Sequence, residues 1–402
     1  MQEFRSKAQA EIYLETQERE RRTTMPNNPS SNRKRGRLLA VACVAVAAFT
    51  LLASDGLLHG AALLGAGMQF PAGVGVLLPA ANAAQPDGMQ TIAVTNAASP
   101  PKIPEAETAA KDFDITATPA DIRVLMEEAV REYAGDKKAG AITERTYTAK
   151  DGTQSFGNVS IRNTTATYKN VNIEAELKKR MPLKIDKSKP AVLIYHTHTT
   201  EAYEILDRGW YPVGWQERSE NKNKNVVRVG DAIAQMLERA GYQVIHDTTV
   251  YDRQYGGAYD RSRLTMQKYL KEYPNIMVTV DVHRDAIHPD DGSHIKPVAT
   301  VNGKKAAQIM IITGIEEGAI VDYPDWRQNL TFALQLHKAA EDLAPGLMRP
   351  LFFCPRKYNM NETPYSLLLE FGSDGNTLEE AVYSGRLIGA AMAKWMDGHV
   401  TA

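Results

Sequence analysis

From Pro190 to the C-terminus, short continuous apolar runs alternate with stretches whose apolar positions recur every three or four residues. "AVLIY" (191–195), "YQVIHD" (242–247), "IMVTVDVH" (276–283), "AAQIMIITG" (306–314) and "SLLLEFG" (366–372) predict strands. A strand covered on both faces needs apolar residues at successive positions, and these runs supply them. Between them, Val226, Val229, Ile233, Met236, Leu237 and Ala240 fall on one helical face, and Gly241 is a stop. "DRSRLTMQKYLKEY" (260–273), closed by Pro274, and "DWRQNLTFALQLHKAAEDLA" (325–344) predict two more helices. The last helix opens on a capping box, Thr377 to Glu380, and runs to about Trp395. The alternation predicts an α/β fold: a mostly parallel sheet with helices on both faces. Such a sheet keeps its chemistry just past the carboxyl ends of its strands.

This domain is expected over 186–402, after a small leading region, 116–185, where Ile122, Leu125, Met126 and Ala129 share a helical face. Farther upstream the pattern changes. Residues 1–37 are polar and end in Arg33, Lys34, Arg35 and Arg37, followed at once by the apolar run Leu38–Ala53. A spanning helix takes about 20 residues, so a single membrane anchor is expected over 38–58. The basic flank assigns the preceding tail to the cytoplasm and everything after the anchor to the outside. Residues 59–115, rich in Ala, Pro, Gly, Thr and Ser, read as a flexible extracytoplasmic linker. The alternative is a cleaved signal peptide, with "ANAA" (81–84) as a small-x-small site far beyond the apolar run.

Composition narrows the possible functions. The 402 residues carry a formal net charge of −1, so no global basic field recruits nucleic acid. Only Cys43 and Cys354 occur, which excludes a disulfide framework and a thiolate zinc cluster. No base motif accompanies Cys354 in "FFCPRK", so it reads as a small hydrophobe rather than a nucleophile. Nine histidines remain as the soft ligands.

Three predicted strand ends carry polar groups. "AVLIY" is followed by His196, His198 and Glu201; "IMVTVDV" by His283, Arg284 and Asp285; "SLLL" by Glu370. Singly, each reads as an ordinary packed or surface residue. Together they make two histidines, a carboxylate and an open fourth position, the usual ligand set of a catalytic zinc. A zinc ion lowers the pKa of water to about 7 and polarises a carbonyl, and a separate carboxylate must then move the proton. Glu370, alone after an apolar run, suits that role. His196 competes with His198 for the metal, because two residues two apart on a strand point the same way. His198, clear of the strand and three before Glu201, is the preferred ligand, with His196 behind it or at the substrate. His288 and His294, in the polar loop "RDAIHPDDGSHIKP", are rival ligands, while His246, His337 and His399 read as ordinary residues. Arg284 suits a substrate carboxylate or a structural ion pair. Tyr203, Trp210, Tyr211 and Trp215 suit a glycan-stacking rim or a packed loop equally.

"IYHTHTTEAY", "VDVHRDAI", "KYNMNETPYSLLLEFGSDGNTLEEA" and "IRNTTATYKNVNIE" together resemble the stage II sporulation protein P family of endospore-forming bacteria, over roughly 116–398. More distantly the domain is similar to zinc N-acetylmuramoyl-L-alanine amidases and zinc carboxypeptidases. The resemblance implies a membrane-anchored zinc hydrolase of peptidoglycan. It would cleave between N-acetylmuramic acid and L-alanine during engulfment, with a possible cut in peptide cross-links. It further implies the company of stage II sporulation proteins D and M, and a site in the space between mother cell and forespore. Carried over, the ligands fall on His198, Glu201 and His283 and the general base on Glu370. Amidases carry their ligand glutamate just ahead of the helix corresponding to 225–241, which makes Glu220 the competitor of Glu201.

Overall fold

The computed structural model describes residues 113–401, so the expected tail, anchor and most of the linker lie outside the described residues. Among the described residues no helix is long and apolar enough to cross a membrane. The chain runs α1 (Ala120–Glu132), β1 (Lys138–Arg145), a 3-10 turn, β2 (Gln154–Phe156), β3 (Val159–Asn163), α2 (Ile173–Leu177), β4 (Pro190–Tyr195) and β5 (Trp210–Pro212). It continues through α3 (Val227–Arg239), β6 (Gln243–His246), α4 (Ala258–Glu272), β7 (Val278–Asp285), β8 (His294–Val301), β9 (Lys304–Ala307) and β10 (Ile309–Gly314). It ends with α5 (Trp326–Leu343), β11 (Leu351–Cys354), β12 (Ser366–Ser373) and α6 (Leu378–Asp397).

Eight strands form the main sheet in the order β2-β3-β11-β10-β12-β7-β4-β6. Five of its seven pairings are parallel; β10–β12 and β2–β3 are antiparallel. The α/β expectation holds in this mixed form. Helices cover both faces. Val192, Ile194, Val280 and Val282 pack with α3, α5 and α6 in the large core, while Leu193, Tyr195, Met266 and Ile276 make a smaller cluster with α4 on the other side. A strand that buries both faces explains why "AVLIY" and "IMVTV" are continuously apolar.

The sequence pattern did not reveal the second sheet, β5-β1-β8-β9. The run "AAQIMIITG", expected as one strand, is two. The chain leaves one sheet for the other at Gln308, a fully buried residue whose amide bonds to Tyr147 and Gly346 carbonyls at 2.8 and 2.9 Å. The leading region joins both sheets: β1 pairs with β8, and β3 pairs with β11.

β4, β7 and β12 lie side by side and parallel, so their carboxyl ends meet at one edge of the sheet. Register decides which side chains share a face. Tyr195 pairs with Asp281, and Glu370 pairs with His283. With side chains alternating along each strand, Asp281, His283 and Glu370 project toward the α4 side and Val282 toward the α3 side.

Candidate active site

The polar stretch after β4 folds because its threonines bind carboxylates. Thr197 donates its backbone N–H and its hydroxyl to the two oxygens of Asp281, at 2.8 and 2.7 Å. Thr200 donates its hydroxyl to Asp252 at 2.6 Å, and the Thr199 hydroxyl donates to the His196 carbonyl at 2.7 Å. All three threonines are buried, so the turn is anchored to β7 and to the loop after β6. The chain therefore leaves the strand at Tyr195 and returns His198 and Glu201 to the edge.

There they meet His283. The Glu201 Oε2 atom lies 3.4 Å from His283 Nδ1, and the His198 and His283 rings stand at 88° with centroids 5.3 Å apart. On its other side, His283 Nε2 is 2.9 Å from Asp281 Oδ1, off the alignment of a full hydrogen bond. Glu370 is beside His283 across the strand pair, and its Oε2 is buried with no hydrogen-bond partner. His198 Nδ1 is likewise buried and unpartnered, 3.9 Å from Asp252. Tyr255 lies flat against the His198 ring, centroids 4.5 Å apart, and Tyr259 covers His283. Arg218 reaches both Asp252 (2.7 Å) and Glu201 (3.6 Å).

The electrostatics follow from burial and close pairing. Burial lowers His198 to about 4, keeping the imidazole neutral. Burial alone would raise Glu201, but His283, His198 and Arg284 hold it below the usual carboxylate range. Burial opposes charge on His283, yet Asp281 and Glu201 outweigh it and raise that group. Glu370 is pushed up to about 8, mainly by burial, with Asp285 and Glu201 adding to the effect and His283 opposing it.

Two imidazoles and a carboxylate gather here, a donor set of the kind that holds a divalent ion, and Glu370 leaves an unpaired oxygen beside His283. Among the described residues, however, only His288, His294 and Asp374 bring three donor atoms within 4.8 Å of one another. Asp281 behind His283 is the carboxylate that commonly orients a metal-bound imidazole. Asp-x-His on a strand puts both groups on one face, so this pairing has a local mark in the sequence. Asp252 had no such signal, lying fifty-odd residues beyond β4 in sequence.

Other expected residues fall elsewhere. His196 is not with His198: the strand ends at Tyr195, so His196 stays on the α3 face and His198 swings away. Its Nδ1 donates to the Val282 carbonyl at 3.1 Å and its Nε2 meets His246 Nε2 at 2.8 Å, under Gly230. His246 in turn contacts Asp231 at 3.0 Å, so it is more than an ordinary surface histidine. Arg284 is buried, and its guanidinium donates to the Ala202, Asp285 and Glu217 carbonyls, clamping the loop after β4 rather than facing a ligand. Glu220 is exposed and paired with Arg253 at 2.9 Å, leaving Glu201 as the carboxylate beside His283. His288 and His294 gather around Asp374 instead. Tyr203 is packed, donating to the Phe371 carbonyl, while Tyr211 and Trp215 lie against His294. Cys354 is buried, which pushes its thiol up to about 12 and leaves it inert.

The family model for stage II sporulation protein P matches residues 108–393. Stage II sporulation protein P of Bacillus subtilis (strain 168) is 30% identical over 211 residues, covering 50% of this chain. The chain spans about half the length of that curated relative, 49%. Solved structures give weaker likenesses. The N-acetylmuramoyl-L-alanine amidase AmiC2 of Nostoc punctiforme is 13% identical, covering 54% of this chain and 98% of its own, with a TM-score of 0.30. The CwlD amidase of Clostridioides difficile, solved with the GerS lipoprotein, is 12% identical, covering 52% and 99%, with a TM-score of 0.33.

Proposed function

We propose that this chain, which belongs to the stage II sporulation protein P family, is a zinc-dependent peptidoglycan hydrolase that cleaves the amide between N-acetylmuramic acid and L-alanine during sporulation. The observation that carries the reading is Glu370: a buried carboxyl with an unpaired oxygen, paired across two strands with His283, which itself meets His198 and Glu201. His198, Glu201 and His283 would hold the ion, which when bound would polarise the scissile carbonyl and acidify water.

The chain's own groups do the rest. Asp281 stands 2.9 Å from the far nitrogen of His283, and Tyr255 and Tyr259 stack against the two imidazoles. Glu370, ionised beside the bound cation, would take the proton from the attacking water and hand it to the departing amine; its burial, which favours the protonated form, suits the second of these steps. The stem peptide is expected to enter along the carboxyl edge past the exposed Tyr255. Membrane attachment through 38–58, an extracytoplasmic location and the company of stage II sporulation proteins D and M belong to the same proposal.

The test is digestion of purified sacculi by the full chain, with mass spectrometry of what is released. Fragments with free lactyl ends and intact stem peptides are expected, lost on chelation. Cut cross-links with intact lactyl amides would make the chain an endopeptidase using the same site. Digestion unaffected by chelation would overturn the metal assignment, and no digestion would leave a wall-binding scaffold.

A further inference from the structure

A second cluster of metal-ligating side chains lies apart from the residues above and shares none of them. β12 carries Glu370 and then breaks register before Ser373, with Gly372 at φ 62°. Such a bulge re-aims the residues that follow it, and Asp374 leaves the strand with its N–H bonded to the Asp285 carbonyl at 3.1 Å. Its side chain is fully buried. One oxygen, Oδ2, sits 2.6 Å from His288 Nε2 and 3.0 Å from His294 Nδ1. The two imidazoles are stacked, centroids 3.9 Å apart, and Tyr211 lies on the outer face of His294 at 4.1 Å. One donor atom from each residue lies within 4.8 Å of the other two.

Hydrogen bonding accounts for only part of this arrangement. The His288 contact is a good bond, but His294 Nδ1 is out of line for one, and Asp374 Oδ1 is buried with no donor at all. An unpaired oxygen on a buried carboxylate is costly. Two ring nitrogens within 3.0 Å of one carboxylate oxygen are what a cation between the three would organise. Around a tetrahedral ion with ligand bonds of 2.0–2.1 Å, donor atoms stand about 3.4 Å apart. The two imidazole–carboxylate distances, 2.6 and 3.0 Å, reach that spacing by opening less than about 1 Å.

We propose that His288, His294 and Asp374 bind a second first-row divalent ion, of the zinc class that imidazole and carboxylate donors select. The ion would tie the loop between β7 and β8, which carries His288, to the end of β12. β7 and β12 bring His283 and Glu370, so the ion braces the strand pair on which the catalytic groups stand without sharing their ligands. The side chain of His288 is 40% exposed, which gives the ion a path from solvent.

The experiment is stoichiometric. The full chain, stripped with a chelator, is titrated with Zn²⁺ in competition with a chromophoric chelator. Two tight equivalents are expected for the parent, one for His288→Ala, one for His198→Ala, and none for the two combined. Asp374→Asn should also fall to one; if that buried change prevents folding, the half-exposed His288→Ala still decides. Circular dichroism confirms that each variant is folded. A single equivalent in the parent, kept by His288→Ala and lost by His198→Ala, overturns this proposal and leaves the hydrolase reading standing. A single equivalent lost only by His288→Ala supports this site and sinks the other ligand set.

Discussion

Replacing Glu370 with Gln separates the catalytic role proposed for this carboxyl from its cost to the fold. The substitution keeps size and shape but removes the proton-carrying oxygen. Burial pushes Glu370 from 4.5 to about 8, and each unit corresponds to 1.36 kcal/mol. Ionising it in the metal-free folded protein therefore costs a few kcal/mol, at most about 5. The sign follows from linkage. Below pH 4.5 both folded and unfolded chains are protonated at this group, and its contribution is fully present. Between 4.5 and about 8 the unfolded chain loses the proton first, so stability falls as pH rises; above that range the loss is complete. Thermal melts of the chelated protein across this range should show a decline that Glu370→Gln flattens. For a domain of this size each kcal/mol moves the Tm by about 2–4 °C. With zinc present the decline should shrink, because a cation nearby favours the carboxylate. In the same variant, sacculus digestion should drop by roughly 10²–10⁴-fold, the usual contribution of general acid–base catalysis. Parallel melting profiles for parent and variant, or unimpaired digestion by Gln, would refute the reasoning.

Three further outcomes follow from the geometry. His283→Ala should lose one zinc equivalent and digestion together, whereas His196→Ala should keep the metal and instead unfold more easily, by about 1–3 kcal/mol for the buried partners left unpaired; equal loss of zinc in both would contradict the opposite-face assignment. Asp281→Asn should weaken zinc affinity by roughly 10–100-fold, read by chelator competition, since it removes the carboxylate behind His283. Gly230→Ala should destabilise by about 1–3 kcal/mol in denaturant melts, because a methyl there would meet the His246 and His196 rings.

Much of the fold was legible because the central strands are apolar at nearly every position, a pattern that only a doubly covered sheet requires. β4, β7, β12 and helices α3 to α6 follow directly from it. The second sheet was not legible: β1, β5, β8 and β9 are short or polar, and their pairing comes from contacts distant in sequence. At the site, His198, Glu201, His283 and Glu370 stood out as polar groups ending apolar runs. His196 and His198 do not share a face because alternation holds only while the strand lasts, and β4 ends at Tyr195, before either of them. Asp252, Arg218 and Tyr255 carry no local mark; the loops that bring them are defined by hydrogen bonds to threonine, which no periodicity records.

The kink at Gly372 divides β12 into two short addresses. The register break there leaves Glu370 beside His283 and turns Asp374, four positions on, toward His288 and His294. Any side chain at 372 would collide with Asn376 and force an unfavourable backbone angle. The missing Cβ at 372 thus permits the break that sets the two carboxylates among different neighbours.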